Sequence, residues 1–243
     1  MLLAPPGVDT QTFTPRSAGW RKDGYLLSVC RLHDTRKGLD RLIEAYATLL
    51  AGDSGAPDLV LAGRGQIPHA LSREIGVRGL STRVQVRRNI PQSELPDLYR
   101  EASVYIQTSY EEGLGISVLE AMSSGLPVVS TMTAGSLETV AHGLTGWLID
   151  QDDRNIGVVT AVARRTLQTL HGSGPKMARH ARERATALFS TEAALSRYMA
   201  TYTRALAAVE SSAPVERMEP CTSRLRPPTG PPSHCNIQRR RIR

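Results

Sequence analysis

Apolar residues along this chain alternate between two kinds of pattern. Short apolar runs at residues 25–29, 58–62, 84–86, 104–106, 126–130 and 146–149 predict strands. Between them apolar positions recur every three or four residues, the spacing of a helix with one buried face. The clearest case begins at Leu39, where Leu42, Ile43, Tyr46, Leu49 and Leu50 share a face and the charges Asp40, Arg41 and Glu44 lie mostly elsewhere. Further helices are predicted at 68–75, at 91–102 with Leu95, Leu98 and Tyr99, after residue 115 with Val118, Leu119 and Met122, and at 136–142, where Ser136 reads as a cap. From residue 154 the pattern is helical: 154–170, 176–189 and 191–209, the last preceded by a break and a Ser190-Thr191 cap.

Strands alternating with helices predict an α/β domain, a parallel sheet with helices on both faces. Ligands of such sheets sit beyond the carboxyl ends of the strands. Arg31, Gly63, Arg87 and Glu112 directly follow predicted strands, so they share that edge. Residues 1–20, rich in Pro, Gly and Thr, read as a connecting segment, 21–210 as the α/β domain with its closing helices, and 211–243 as a disordered basic tail.

Composition narrows the classes. A hydrophobic share of 40% in 243 residues supports a real core, and an aromatic share of 5% argues against a base-stacking nucleic-acid surface. The net charge of +7 is concentrated in the tail, whose seven Arg and two Glu leave the body close to balanced. Cys30, Cys221 and Cys235 have neither metal-ligand spacing nor the look of a disulfide framework, which suits a reducing cytosol. No apolar run approaches membrane-spanning length, and residues 1–4 are too short for a signal-peptide core.

The stretch with the most chemistry runs from Tyr110 to Met122. It holds a loop with Gly113 and Gly115, two acids at its rim, Glu112 and Glu120, and the start of a helix. The first N–H groups of a helix lack partners and carry the positive end of its dipole, so a glycine loop leading into a helix suits an anion. Carboxylates beside an anion site make sense when they face hydroxyls, because a carboxylate accepts from both hydroxyls of a vicinal diol. A ligand anionic in its middle and diol-rich at both ends is a nucleotide diphosphate sugar. Arg31 and Lys37, six apart around a charged loop, can converge on the same edge and offer a planar fork and a compact charge to phosphate oxygens.

Glu112 and Glu120 with seven residues between them, then Ala121-Met122 and the run from Gly125 to Val129, resemble the signature of family 4 glycosyltransferases of the GT-B fold. Leu114 stands where that family usually has Phe, and Cys30 where many relatives have Gly before the Arg. The resemblance covers residues 6–209 and implies a Rossmann-like GT-B carboxyl-terminal domain. It implies that Arg31, Lys37 and Glu112 are catalytic: Arg31 and Lys37 at the donor's diphosphate, with Arg36 as the rival for Lys37, and Glu112 at the donor sugar. Gly113, Leu114, Gly115, Ile116, Ser117 and Glu120 would bind the nucleotide sugar, with the helix-start amides at the diphosphate and Glu120 at the ribose. It further implies retention of anomeric configuration and peripheral membrane contact of a full enzyme.

No metal or other cofactor is required on this plan, and the nucleotide sugar is the donor substrate. The chain begins where the family's amino-terminal domain ends, so a missing amino-terminal half is the expected partner, and the chain alone is expected to be inactive. Two alternatives remain. One is a nucleotide-sugar-binding module or truncated protein without turnover. The other is a different GT-B enzyme such as an epimerase or phosphorylase, which the paired Glu motif disfavours. The expected compartment is the cytoplasm.

Overall fold

The computed structural model describes residues 6–151 and 155–212. Among these residues six parallel strands form one sheet: β1 (Tyr25–Arg31), β2 (Leu59–Arg64), β3 (Val84–Arg88), β4 (Ala102–Gln107), β5 (Val128–Thr131) and β6 (Gly146–Ile149). Their spatial order is β3-β2-β1-β4-β5-β6. The chain lays strands outward from β1 to β3, then returns to place β4 on the other side of β1. That reversal opens a crevice between the carboxyl ends of β1 and β4, where open α/β sheets hold their ligands.

Among the described residues eight α-helices accompany the strands: α1 (Leu39–Gly52), α2 (His69–Val77), α3 (Leu95–Arg100), α4 (Ile116–Ser123), α5 (Ala134–Thr139), α6 (Asn155–Gln168), α7 (Gly174–Phe189) and α8 (Thr191–Ser212). Successive strand residues point to opposite faces, and the core divides accordingly. Leu26, Val104 and Ile106 pack under α1, α2 and α6, whereas Leu27, Tyr105 and Val128 pack under α3, α4 and α7. This is the predicted Rossmann-like architecture.

The chain divides into two compact units, 1–204 and 205–243. The first carries the sheet, and the second is described only over the end of α8. Within the first unit the described part of the Pro-rich connecting segment is packed, with Val8 and Phe13 buried in the second core cluster and Val8 bridged to Ser190. Ser190 does cap the last helix, its Oγ accepting from the Ala193 amide at 3.1 Å.

Several expected boundaries move. The helix expected over 91–102 splits into a short 3₁₀ turn and α3, because Ala102 pairs with Tyr25 and so begins β4. Pro96 sits in the first turn of α3, where its missing N–H has no helical partner to lose. The helix expected over 136–142 is α5 instead, and its cap is Thr133 rather than Ser136. Ser136 closes the reciprocal capping box, its Oγ accepting from the Thr133 amide at 2.8 Å. Arg41, one of the charges expected mostly away from the apolar face, is buried. Its guanidinium stacks 4.1 Å from the Tyr110 ring centre and donates to Asn155 and Gln151 at 3.0 Å each. Ser211 and Ser212 belong to α8 rather than to the tail, and residues 213–243 lie outside the described residues, as does the expected helix start at Arg154.

Candidate functional site

At the crevice between β1 and β4 lies a cleft of about 390 Å³. Arg31, Lys37, Glu112, Leu114, Gly115, Ile116 and Ser117 all line it, so seven of the nine residues singled out from the sequence meet there. The two outside its wall are Gly113 and Glu120.

The wall is built by two loops and a helix start. The first loop follows β1, runs through a 3₁₀ turn at Thr35–Lys37 and ends at Gly38. Gly38 has φ of 60°, and a Cβ there would overlap the carbonyl oxygen of Thr108, just past β4. Only glycine permits this approach. The Thr108 hydroxyl donates to the Gly38 carbonyl at 2.8 Å and fastens the contact. Lys37 is thereby carried across the switch point, where its Nζ donates to Glu112 Oε2 at 2.6 Å. Both side chains are largely shielded, at 14% and 20% exposure. Arg31 is more open at 56% and pairs with Asp34 at 2.8 Å. Arg36, the rival for Lys37's place, pairs with Asp34 instead, at 3.0 Å. Hydrogen bonds from Arg36 hold the Asp34 carboxyl down to about 2.

The second loop, 108–115, leads into α4. Gly115 precedes α4 and has no side chain to accept from the helix's first amides, so the N–H groups of Ile116 and Ser117 have no side-chain cap. The Tyr105 hydroxyl donates to the Val29 carbonyl oxygen at 3.1 Å and lies 2.8 Å from Ser117 Oγ, which ties the helix start to the neck of β1. Leu114 packs against the second core cluster, as a space-filling residue should. Gly135 closes the back of this loop. A Cβ there would come within 2.7 Å of the Gly113 carbonyl oxygen, and the Gly135 amide donates to the Glu112 carbonyl at 3.1 Å.

Glu120 lies one turn along α4 from Ser117, on the same helix face. The Tyr99 hydroxyl donates to its Oε2 at 2.7 Å. Burial pushes the Glu120 carboxyl above the ordinary carboxylate range, partly offset by that hydrogen bond. Burial likewise raises the Cys30 thiol to about 12, so the cysteine in the cleft wall stays a neutral thiol. His142 is a packing residue, edge-on to Trp147 with its Nδ1 accepting from the Leu148 amide at 3.2 Å.

Sequence reasoning missed the supporting residues. Tyr99 and Tyr105 read as ordinary apolar positions, and only the partners of their hydroxyls reveal their second role. For Gly135 and Asp34, spacing alone does not show what they touch.

The cleft thus brings the cations Arg31 and Lys37, the carboxylate of Glu112 and the start of α4 to one wall. A family model described as glycosyl transferases group 1 matches residues 10–187, and the chain belongs to that family. It is 32% identical over 245 residues to a D-inositol 3-phosphate glycosyltransferase of Geodermatophilus obscurus, an alignment covering 93% of this chain and 51% of that protein. Sucrose-phosphate synthase from Thermosynechococcus elongatus superposes with a TM-score of 0.71 at 26% identity, covering 85% of this chain and 53% of that one. The carboxyl-terminal domain of a group 1 family protein from Francisella tularensis superposes at 0.65 and 22% identity, covering 76% of this chain and 99% of that domain. The chain thus spans about half the length of the first of these relatives. Among the described residues no helix is long and apolar enough to cross a membrane.

Proposed function

We propose that this chain is the donor-binding half of a cytoplasmic, retaining glycosyltransferase that takes a hexosyl group from a nucleotide diphosphate sugar. The observation that carries the reading is the cleft at the switch point, where Lys37, Glu112 and the uncapped start of α4 meet. When the bond from the anomeric carbon to the diphosphate oxygen breaks, its electron pair leaves with the diphosphate, an acceptor hydroxyl oxygen bonds to the anomeric carbon, and the proton of that hydroxyl passes to the departing diphosphate. Lys37, Arg31 and the amides of Ile116 and Ser117 stabilise that growing charge more than they stabilise the bound donor. Glu112 positions the sugar through its hydroxyls, and Glu120 holds the ribose. The positive charge at the diphosphate comes from the protein, and the proposal invokes no cofactor.

The acceptor would be held by an amino-terminal half, with peripheral membrane contact belonging to that full assembly. α8 supports a partner: Leu195, Tyr198, Met199 and Tyr202 form an exposed apolar stripe at helical spacing. This chain alone would then bind donor without rapid transfer, since a cleft with one wall neither excludes water nor holds an acceptor.

The test is calorimetric titration of the full chain with UDP, GDP and ADP sugars, alongside Lys37→Ala and Glu120→Ala. Saturable binding to one nucleotide, weakened about tenfold or more in both variants, is expected. Absence of binding to every one of them would overturn the donor reading, and rapid transfer by the chain alone would overturn the half-enzyme reading.

A further inference from the structure

Gln107 ends β4, two residues beyond Tyr105 and therefore on the same face of the sheet. It is buried, at 5% exposure, and lines the cleft. Among the described residues neither its Nε2 nor its Oε1 has a hydrogen-bond partner. Buried amides are nearly always paired, and leaving one bare is costly. No described residue uses this one, so its partner should be a ligand of the cleft.

The chemistry of the carboxamide says which part of the ligand. Nε2 donates and Oε1 accepts. An ionised diphosphate only accepts, so it would satisfy Nε2 and leave Oε1 bare. The cleft already meets an acceptor with groups that only donate: Lys37, Arg31 and the amides of Ile116 and Ser117. A hydroxyl both donates and accepts, and two adjacent hydroxyls satisfy both ends of one carboxamide. Gln107 shares the cleft with Glu112, assigned to the sugar, while Glu120, assigned to the ribose, lies outside that wall.

We propose that Gln107 is a specificity-determining contact for the hydroxyls of the donor sugar, pairing through both Nε2 and Oε1 from the floor of the cleft. This rests on the donor reading above. Its consequence is that the sugar is selected partly at the end of β4 and that the nucleotide moiety is bound without Gln107.

The test compares the full chain with Gln107→Leu, which fills the same space without polar atoms, and Gln107→Asn, which withdraws the amide by one methylene. Calorimetry is run with UDP, GDP and ADP and with UDP-glucose, GDP-mannose and ADP-glucose. For the nucleotide that the wild type binds, both variants should keep the affinity for the bare diphosphate within about twofold and lose about tenfold for the sugar nucleotide. Gln107→Leu should also unfold at an equal or higher temperature, because an unpaired buried amide is gone.

Equal weakening toward the diphosphate and its sugar would place Gln107 at the phosphates and overturn the proposal. Unchanged binding of both would mean that it meets only water, which also overturns it. A lower unfolding temperature in Gln107→Leu, with Gln107→Asn binding the sugar nucleotide normally, would show a structural role instead. A wild type that binds no nucleotide is a different failure, that of the donor reading itself.

Discussion

The ammonium of Lys37 lies 2.6 Å from a carboxylate oxygen of Glu112, although 75 positions separate them in the chain. The pair joins the loop after β1 to the loop after β4 across the mouth of the crevice. Removing either partner leaves a shielded charge without its neighbour, whereas removing both leaves none. Lys37→Ala and Glu112→Ala should therefore each destabilise the fold, and the double variant should recover a coupling of about 1–2 kcal/mol at low salt. A denaturant-based double-mutant cycle measures this, and additive losses would contradict the pairing.

Glu120 gives a pH signature. Burial holds its carboxyl above the ordinary value of 4.5, so the folded protein binds its proton more tightly than the unfolded chain does. That contribution to stability is complete below the ordinary value and is lost as pH rises through the raised one. Glu120→Gln has no such proton. The variant's stability relative to wild type should climb as pH rises from 4.5 through the raised value and then level off. Denaturation curves taken across that window check this, and a pH-independent difference would contradict the raised carboxyl.

Tyr99 supplies the hydrogen bond that partly offsets Glu120's burial. Tyr99→Phe should cost about 1–2 kcal/mol at neutral pH. It should also move the Glu120 transition to higher pH, because the ionised carboxylate loses its donor. Carbon-13 NMR titration of the Glu120 side chain reads that movement directly, and a transition that stays in place would show that the hydroxyl does not support the charge.

Gly38 sets the position of Lys37. Gly38→Ala must leave the left-handed backbone or push Thr108 aside. We expect a loss of about 2 kcal/mol or more, with donor affinity falling in the variant even under conditions where it is fully folded. Equal stability and unchanged binding would show that the loop does not rely on this contact.

Much of the fold was legible in local pattern. The strand and helix periods set the α/β alternation, and the spacing of Glu112, Gly113, Gly115 and Glu120 marked the loop and helix start that line the crevice. Errors fell where a distant partner overrode local preference: Ala102 joined β4 because Tyr25 lies beside it, and Arg41 turned inward because Tyr110, Gln151 and Asn155 receive it.

What the sequence determined by itself was the set of chemical groups and their local placement: cations after the first strand, a glycine loop with two acids, a helix start without a cap. What only the tertiary structure decided was which groups meet. Arg36 and Lys37 are neighbours in the chain, yet one pairs with Asp34 and the other with Glu112. Tyr99 reaches Glu120, Gly135 backs the Glu112 loop, and Gln107 ends in the cleft with no hydrogen-bond partner among the described residues. Spacing fixes which side of a helix or strand a residue occupies. Long-range pairing depends on the order of the strands, and it was the return of β4 to the side of β1 that brought these groups together.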